Sequence, residues 1–275
     1  MTDKLVLMRV KVRTGASALA PKFERLVAIL DELKPSVVAF SGGVDSSLLA
    51  YVASAVDARA VCVTASSETY TASELRAAKD FANRHHFVLK VVKTGELQNP
   101  KFLANPRDRC YHCKKEMLAE LKKLAKGRTV LYGENASDSK DFRPGKRAIT
   151  EAGARAPLAE AGLSKADIRK LSKALGLETW DMPQNACLAS RFEYGMEITK
   201  EGLAMVSTAE ELLRRSGFSN VRVRLHGRIA RIEISDVGKA SVKKLASIAK
   251  KIKGLGFIYV TLDLEGYRTG SMNEK

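Results

Sequence analysis

The sequence contains no apolar run that approaches the roughly 20 residues needed to span a bilayer. Charged residues make up 28% of the 275 residues. Residues 1–15 carry an acid near the front and a short apolar patch broken by Arg9 and Lys11, which is unlike a signal peptide. We therefore expect a cytoplasmic protein that has no membrane partner.

Cysteine is scarce, with four residues in the whole chain: Cys62, Cys110, Cys113 and Cys187. A cytoplasmic chain keeps its thiols reduced, so a disulfide framework is excluded, and metal binding or catalysis is the expected use. Cys62 differs from the others because it lies in the apolar, strand-like run ARAVCVTA. We interpret it as a small buried hydrophobic residue.

Acidic residues are few compared with basic ones, 31 against 47, which gives a formal net charge of +16. Such an excess indicates an anionic partner, for example a nucleotide, a phosphorylated metabolite, a nucleic acid or an acidic protein. Lysine runs such as KKEMLAELKKLAK are typical of solvated helix faces. None interleaves arginine and aromatic residues like a dedicated RNA surface, so a small nucleotide is favoured over nucleic acid.

Strand-like and helix-like patterns alternate over residues 1–185. The segments SVVAF, RAVCVTA, FVLKVV and TVLYG predict four buried strands. Helical patterns lie between them, including TASELRAAKDFANRHH with the capping pair Thr71 and Glu74. Nearly apolar strands that alternate with helices predict an α/β domain whose parallel sheet has helices on both faces.

The pattern changes after Cys187. A helix over 199–217, two strands that meet at His226–Gly227, a helix over 236–254 and a strand over 257–264 follow in order. This order predicts a small α+β domain with an antiparallel sheet. We place the domains at 1–185 and 186–275.

The segment SGGVDSS, residues 41–47, joins the first predicted strand to the next helix. Gly42 and Gly43 allow backbone N–H groups to converge on an anion, and the helix presents its positive end there. The candidate ATP-binding residues are Ser41, Gly42, Gly43, Asp45, Ser46 and Ser47. The segment lacks the lysine of a G-x-x-x-x-G-K-S/T loop and resembles the PP-loop of ATP pyrophosphatases. That resemblance implies transfer of AMP and release of pyrophosphate.

A second polar segment, YGENASDSKDFRPG, follows the fourth predicted strand. Its Glu134 and Asp138 would emerge at the same edge of the sheet as the glycine turn. Carboxylates suit Mg²⁺ bridged to phosphate, and Asp45 could contribute or could instead accept backbone N–H groups. A merely exposed polar loop is the alternative.

Cys110 and Cys113 form a C-x-x-C pair that we place just before a helix. A structural zinc ion normally takes four protein ligands, and a second cysteine pair is missing. With Cys187 the pair would supply three thiolates, enough for a 4Fe–4S cluster that has one open iron. Zinc and uncoordinated reactive thiols remain open as alternatives.

Cys187 lies in NACLASRFEYG at the predicted domain junction, with Ser190 and Arg191 nearby. Its surroundings are too polar for a core cysteine, so we expect it to be reactive. Downstream, two-residue alternation in VRVRLHGRIARIE puts Arg222 and Arg224 on one face. The returning strand adds Arg231 and Glu233 to its polar face. Paired guanidinium groups suit a substrate phosphate, whereas a solvated face is the alternative.

These segments, together with GYRTGSMNE near the C-terminus, resemble the LarE family from about residue 20 onward. The resemblance implies ATP-dependent sulfur insertion into pyridinium-3,5-biscarboxylic acid mononucleotide. A substrate carboxylate is adenylated and a thiolate then displaces AMP. The implied catalytic residues are Cys187, Asp45 and Glu134, and Glu210 matches an acidic position that faces the sulfur site.

The three cysteines are similar to those of LarE members that hold a 4Fe–4S cluster and pass on a cluster-bound sulfide. In one-cysteine members, the residue at the position of Cys187 gives up its own sulfur. We expect ATP, Mg²⁺ and the cluster as cofactors, sulfide or a sulfur-donor protein as partner, and a homo-oligomer. The rival interpretation is a PP-loop tRNA thiolation enzyme with a cluster, although an appended RNA-binding domain is missing.

Overall fold

The structure, a computed structural model, describes residues 19–137, 144–183, 186–235, 237–239, 241–268 and 270–273. The chain forms two compact units. The first unit comprises residues up to 67, residues 72–95 and residues 110–185. The second unit comprises residues 68–71, residues 96–109 and the residues from 186 onward. Residues 68–71 and 96–109 thus belong to the second unit although they precede the domain boundary that we predicted at 185/186. The division into domains at 1–185 and 186–275 stays a prediction.

The first unit alternates strands and helices in chain order. Its elements are α1 (Leu19–Glu32), β1 (Ser36–Ala39), α2 (Val44–Val56), β2 (Val61–Ser66), α3 (Ala72–Arg84), β3 (Leu89–Lys93), α5 (Arg109–Ala125), β4 (Thr129–Tyr132), α6 (Pro144–Glu151), α7 (Pro157–Glu160) and α8 (Lys165–Leu175). The short helix α4 (Pro100–Leu103) belongs to the second unit.

The four strands form one parallel sheet in the order β3-β2-β1-β4. Val38 of β1 pairs with Cys62 of β2 and with Leu131 of β4, at the buried centre. One face is covered by apolar residues of α1, α2, α3 and α8, and the other by residues of α5 and α6. The predicted α/β fold with helices on both faces is confirmed.

Helix α8 shows how local sequence sets a boundary that matters for the site. Ser164 accepts a hydrogen bond from the Asp167 N–H, and the Asp167 carboxylate accepts one from the Ser164 N–H. This reciprocal capping box satisfies two N–H groups that the helix itself leaves without partners. Gly176 ends the helix in a left-handed conformation with φ of 76°. The Ser-x-x-Asp spacing that marks this helix start is readable in the sequence alone.

The second unit contains helices and a small sheet from residue 186 onward. Its elements there are α9 (Lys200–Arg215), β5 (Arg222–His226), β6 (Ile229–Glu233), α10 (Val242–Lys253) and β7 (Tyr259–Leu262). Strands β5 and β6 form an antiparallel hairpin, but β7 pairs with β6 in parallel. The predicted all-antiparallel sheet is therefore wrong. Helix α10 crosses from the end of β6 back to its start, and such a crossover delivers a parallel strand.

None of the helices in the described ranges is both long enough and apolar enough to cross a membrane.

The start of α9 depends on a glycine. A Cβ at Gly202 would lie 2.8 Å from Cζ of the buried Phe192 ring. We expect Gly202→Ala to lower the free energy of unfolding by about 1–3 kcal/mol, because overpacking outweighs the gain in helix propensity. Urea denaturation followed by circular dichroism measures this. Gly238→Ala is the control, since none of the described atoms lies within 4 Å of that Cβ; equal effects would contradict the packing argument.

Candidate active site

The glycine turn lies directly between β1 and α2. Gly42 has φ of +76°, a conformation that favours glycine. Gly43 caps α2 without a side-chain hydrogen bond, and the first intrahelical bond runs from Ser47 N–H to Gly43 O at 2.9 Å. The backbone N–H groups that precede Ser47 therefore have no acceptor within the helix, and an anion bound there can accept hydrogen bonds from them.

Two serines hold the turn in shape. The Ser41 and Ser46 hydroxyl oxygens are 3.0 Å apart, and Ser46 Oγ donates to Gly43 O at 3.1 Å. The Ser41 N–H donates to Ser46 Oγ at 3.2 Å. Ser47 differs, because it is completely buried and its hydroxyl has no partner among the described atoms. Ser41 and Ser46 thus border the turn, while Ser47 lies beneath it.

The loop after β4 makes a close backbone approach to this turn. A Cβ at Gly133 would lie 3.0 Å from the Ser46 nitrogen and 3.1 Å from the Ser46 Cα. Only glycine fits at that distance, so Gly133 brings the polar loop against the first turn of α2. The sequence analysis missed this residue, although a glycine directly after a buried strand is a recognisable signal.

Two of the three candidate magnesium carboxylates lie in the described residues, and both are paired with lysines. Lys165 Nζ lies 2.8 Å and 2.9 Å from the two carboxylate oxygens of Asp45, and Asn135 Nδ2 donates to one of them at 3.3 Å. Lys146 Nζ lies 2.7 Å from a carboxylate oxygen of Glu134. The third candidate, Asp138, lies outside the described residues.

Within the part of the chain that the structure describes, no group of three or more His, Cys, Asp or Glu side chains is arranged to hold a metal ion. The magnesium ligands and the cluster ligands therefore remain proposals.

The four cysteines differ sharply in environment. Cys62 is buried in β2, and burial raises the pKa of its thiol to about 12, as expected for a structural residue. Cys110 is exposed, whereas Cys113 and Cys187 are half-buried. Cys110 and Cys113 lie within the first turns of α5, not before it as predicted, because a turn from Pro106 to Arg109 leads directly into the helix. Their spacing puts both thiols on one helix face.

Arg191 ties the backbone around Cys187 to a buried carboxylate of the same unit. Its NH1 group donates to Ala186 O at 2.6 Å and to Cys187 O at 3.0 Å. Its Nε and NH2 groups donate to Glu210 at 2.8 Å and 3.2 Å. Glu210 also accepts from the Val223 N–H at 3.2 Å. Leu188, Ala189 and Arg191 are buried. The expectation that the segment around Cys187 is too polar for core packing was therefore wrong, because Arg191 can be buried when its charge is paired with Glu210.

The arginines of β5 are buried instead of solvated, with 8% of Arg222 and 5% of Arg224 exposed. Arg224 NH2 donates to Glu233 at 2.8 Å and to Ser271 Oγ at 3.1 Å. Arg222 lies over the Tyr267 ring at 5.3 Å. Burial and the charge of Arg191 lower the pKa of Arg222. The alternative of a merely solvated arginine face is therefore excluded.

Comparison with known proteins identifies relatives over almost the whole chain. The asparagine synthase family model matches residues 19–108. An uncharacterized protein of Synechocystis sp. is 42% identical over 268 residues, which covers 93% of this chain and 98% of the relative. The pyridinium-3,5-bisthiocarboxylic acid mononucleotide synthase of Lactiplantibacillus plantarum is 38% identical over 265 residues, 94% of this chain and 96% of the synthase. The chain belongs to the LarE family.

An uncharacterized protein of Methanocaldococcus jannaschii is a further relative of this LarE protein. It is 33% identical over 239 residues, which cover 86% of this chain and 92% of the relative. The fold is of the PP-loop type, and the enzyme is an ATP-dependent sulfur transferase. The predictions of family, fold class and enzyme class are confirmed.

Several residues of this LarE enzyme escaped the sequence analysis because their partners are distant in sequence. Lys165 contacts Asp45 across 120 residues, and Ser271 contacts Arg224 across 47. Their own neighbourhoods signal only a helix start and a C-terminal turn. Such residues are found only when the fold brings the segments together.

The buried carboxylate of Glu210 makes the LarE fold sensitive to acid. Burial alone would raise the pKa of Glu210, but the hydrogen bond and charge of Arg191, with Arg222 and Arg214, hold that pKa below its ordinary value of 4.5. The stabilisation is complete at a pH above the pKa that Glu210 has in the unfolded chain. It is lost as the pH falls through the lower pKa of Glu210 in the folded protein. Glu210→Gln should flatten this acid dependence and cost about 3–5 kcal/mol at neutral pH.

Urea denaturation at a series of pH values measures both effects. The control is Glu211→Gln, because Glu211 is 45% exposed and pairs with Arg215 at the surface. Surface pairs contribute only about 0–1 kcal/mol. An acid dependence in Glu210→Gln as steep as that of the wild type would contradict the assignment.

Proposed function

We propose that the chain inserts sulfur into pyridinium-3,5-biscarboxylic acid mononucleotide and uses ATP to activate a substrate carboxylate. The observation that carries this proposal is the 38% identity to the Lactiplantibacillus plantarum synthase over 94% of the chain. The glycine turn and Cys187 of this chain support it. The product is the thiocarboxylate precursor of the nickel-pincer nucleotide cofactor, made in the cytoplasm.

The first step is adenylation. A carboxylate oxygen attacks the α-phosphorus of ATP, the bond to the β-phosphate oxygen breaks, and pyrophosphate leaves. The turn at Ser41, Gly42, Gly43 and Ser46 would bind the pyrophosphate, with Ser47 beneath it, because backbone N–H groups and a helix N-terminus favour an anion. Asp45 and Glu134 would hold Mg²⁺, whose preference is for carboxylate oxygens.

The second step transfers sulfur. A sulfide or the Cys187 thiolate attacks the activated carbonyl carbon, and AMP leaves with the former carboxylate oxygen. Sulfide gives the thiocarboxylate directly. The thiolate gives a thioester, which releases the thiocarboxylate when the Cα proton of Cys187 is lost and its Cβ–Sγ bond breaks, leaving dehydroalanine. Cys187 is the proposed catalytic thiol. Its backbone carbonyl accepts a hydrogen bond from Arg191, which Glu210 orients in turn. This chain of contacts keeps the thiol in a defined position.

Three thiols fit the donor set of a 4Fe–4S cluster. Cys110 and Cys113 share one face of α5, and Cys187 would be the third ligand; all three are at least partly accessible. Three soft thiolates leave one iron open, and when bound the cluster supplies a site for exogenous sulfide. Sulfide or a sulfur-donor protein would replenish the sulfur, and we expect a homo-oligomer.

The second unit would bind the phosphate of the mononucleotide. Arg222 and Arg224 are both buried, and burial together with the charges of Arg191 and Arg224 lowers the pKa of Arg222. A phosphate would relieve this repulsion and match the guanidinium geometry. Glu233 orients Arg224.

The test separates the two steps in one protein. With ATP, the mononucleotide and sulfide under anaerobic conditions, we expect wild-type protein to release pyrophosphate and form thiocarboxylate. Cys187→Ala should keep pyrophosphate release, because the nucleotide turn is intact, but should lose most of the thiocarboxylate. Phosphate-release assays and mass spectrometry measure the two products.

Cys62→Ala is the matched control, because it removes a buried thiol and leaves the other three in place. It should retain both products. Wild-type thiocarboxylate formation by Cys187→Ala would contradict the assignment of the catalytic thiol. Repeated turnover with an unchanged mass of Cys187 supports the cluster, whereas loss of one H₂S per chain indicates a sacrificial cysteine.

A further inference from the structure

We propose that Lys165 is an exchangeable counter-ion of the ATP site. In the nucleotide-free protein it neutralises Asp45, and when metal-bound ATP arrives it leaves Asp45 and binds the phosphates. The inference rests on the proposed ATP-binding turn and goes beyond it, because it assigns a function to a lysine that the turn itself lacks. The experiment below distinguishes a failure of this inference from a failure of the proposed function.

The ion pair lies at the first turn of α2. Lys165 Nζ contacts both carboxylate oxygens of Asp45, at 2.8 Å and 2.9 Å. Asp45 is itself one residue before Ser46, which closes the glycine turn through Gly43 O. The ammonium group is therefore bound to a residue in the first turn of α2, the helix whose N-terminus would bind the pyrophosphate.

The backbone of Lys165 is held firmly while its side chain keeps a flexible stem. Lys165 is the first residue of α8, directly after the Ser164 cap. Its N–H donates to Ser137 Oγ at 3.3 Å, and the neighbouring Ala136 N–H donates to Leu163 O at 2.8 Å. Four methylene groups then allow the ammonium to change partners without movement of the helix.

The carboxylate of Asp45 cannot bind the Lys165 ammonium group with both oxygens and coordinate a magnesium ion at the same time. Both of its oxygens are engaged by the ammonium, and Asn135 donates to one of them as well. A divalent cation at that carboxylate would be repelled by an ammonium group less than 3 Å away. Metal binding at Asp45 therefore displaces Lys165.

The displaced ammonium has an anionic partner close by. A P-loop places a lysine on the β- and γ-phosphates of its nucleotide, whereas SGGVDSS contains none. Lys165 would supply that charge from a different helix. The charge would stabilise pyrophosphate as a leaving group, which gains negative charge in the transition state.

A purely structural ion pair is the competing explanation, and the chain contains a matched example. Lys22 Nζ lies 2.7 Å from Asp167 on the same helix α8, and its side chain is 40% exposed compared with 34% for Lys165. Among the described residues, the Lys22 side chain donates its hydrogen bond to Asp167 and makes none to the glycine turn. Lys22→Met therefore removes a comparable pair outside the site.

The first measurement is binding of Mn²⁺, a paramagnetic substitute for Mg²⁺, to nucleotide-free protein by electron paramagnetic resonance. Lys165→Met should tighten Mn²⁺ binding by about three- to tenfold, because a like charge is removed from the carboxylate. Asp45→Asn should weaken it. Lys22→Met should leave it unchanged.

The second measurement is binding of ATP by calorimetry. With Mg²⁺, Lys165→Met should weaken ATP binding by about ten- to hundredfold, as for loss of one charged hydrogen bond. Lys165→Arg, which keeps the charge, should restore most of the affinity. In excess chelator, Asp45→Asn should bind ATP at least as tightly as wild type, because its lysine is already released.

Opposite changes in Mn²⁺ and ATP affinity support the exchange, since a structural pair would not produce them. If wild-type protein binds ATP but Lys165→Met behaves like Lys22→Met, the inference is overturned and the ATP site stands. If wild-type protein binds no ATP, the proposed function and the inference fall together. Circular dichroism melts confirm that each variant is folded. If Lys165→Met unfolds, Lys165→Gln replaces it, because it also removes the charge. Tighter Mn²⁺ binding and weaker ATP binding in that variant support the exchange, and unchanged affinities overturn it.

Discussion

The candidate nucleotide site depends on one close backbone contact. Gly133, at the end of β4, lies so near the first turn of α2 that a Cβ would come within 3.0 Å of Ser46. Because of this contact the loop that carries Glu134 and Asn135 meets the turn that carries Asp45. The same loop hydrogen-bonds the start of α8 and so brings Lys165 to Asp45. One glycine therefore positions residues from three distant segments.

Charge compensation is the second organising constraint, and it differs between the two units. In the first unit, Asp45 and Glu134, the two candidate magnesium carboxylates that the structure describes, each have a lysine partner, and lysines can exchange partners. In the second unit, the buried carboxylates of Glu210 and Glu233 are held by arginines, which form fixed, forked hydrogen bonds. The first arrangement suits a site that changes on binding ATP, and the second suits a site preorganised for a phosphate.

The sequence predicted the fold well because its signals are local. Buried parallel strands, the glycine turn and the Ser164–Asp167 capping box each depend on neighbouring residues. The direction of β7 was predicted wrongly, since it depends on how α10 crosses the sheet. The burial of Arg222 and Arg224 was also not predictable, because alternation indicates a polar face but not whether partners cover it. Lys165 was missed for the same reason: its role arises only from tertiary contact.

The central claim is that ATP activates a substrate carboxylate before sulfur arrives, and oxygen labelling tests it most directly. The mononucleotide is prepared with ¹⁸O in its carboxylates and is incubated anaerobically with enzyme, ATP and sulfide. If the carboxylate is adenylated and sulfur then displaces AMP, one ¹⁸O atom appears in each AMP formed, and one remains in the thiocarboxylate. Unlabelled AMP formed together with thiocarboxylate would contradict the account, since it would mean that ATP reacts with water or another group.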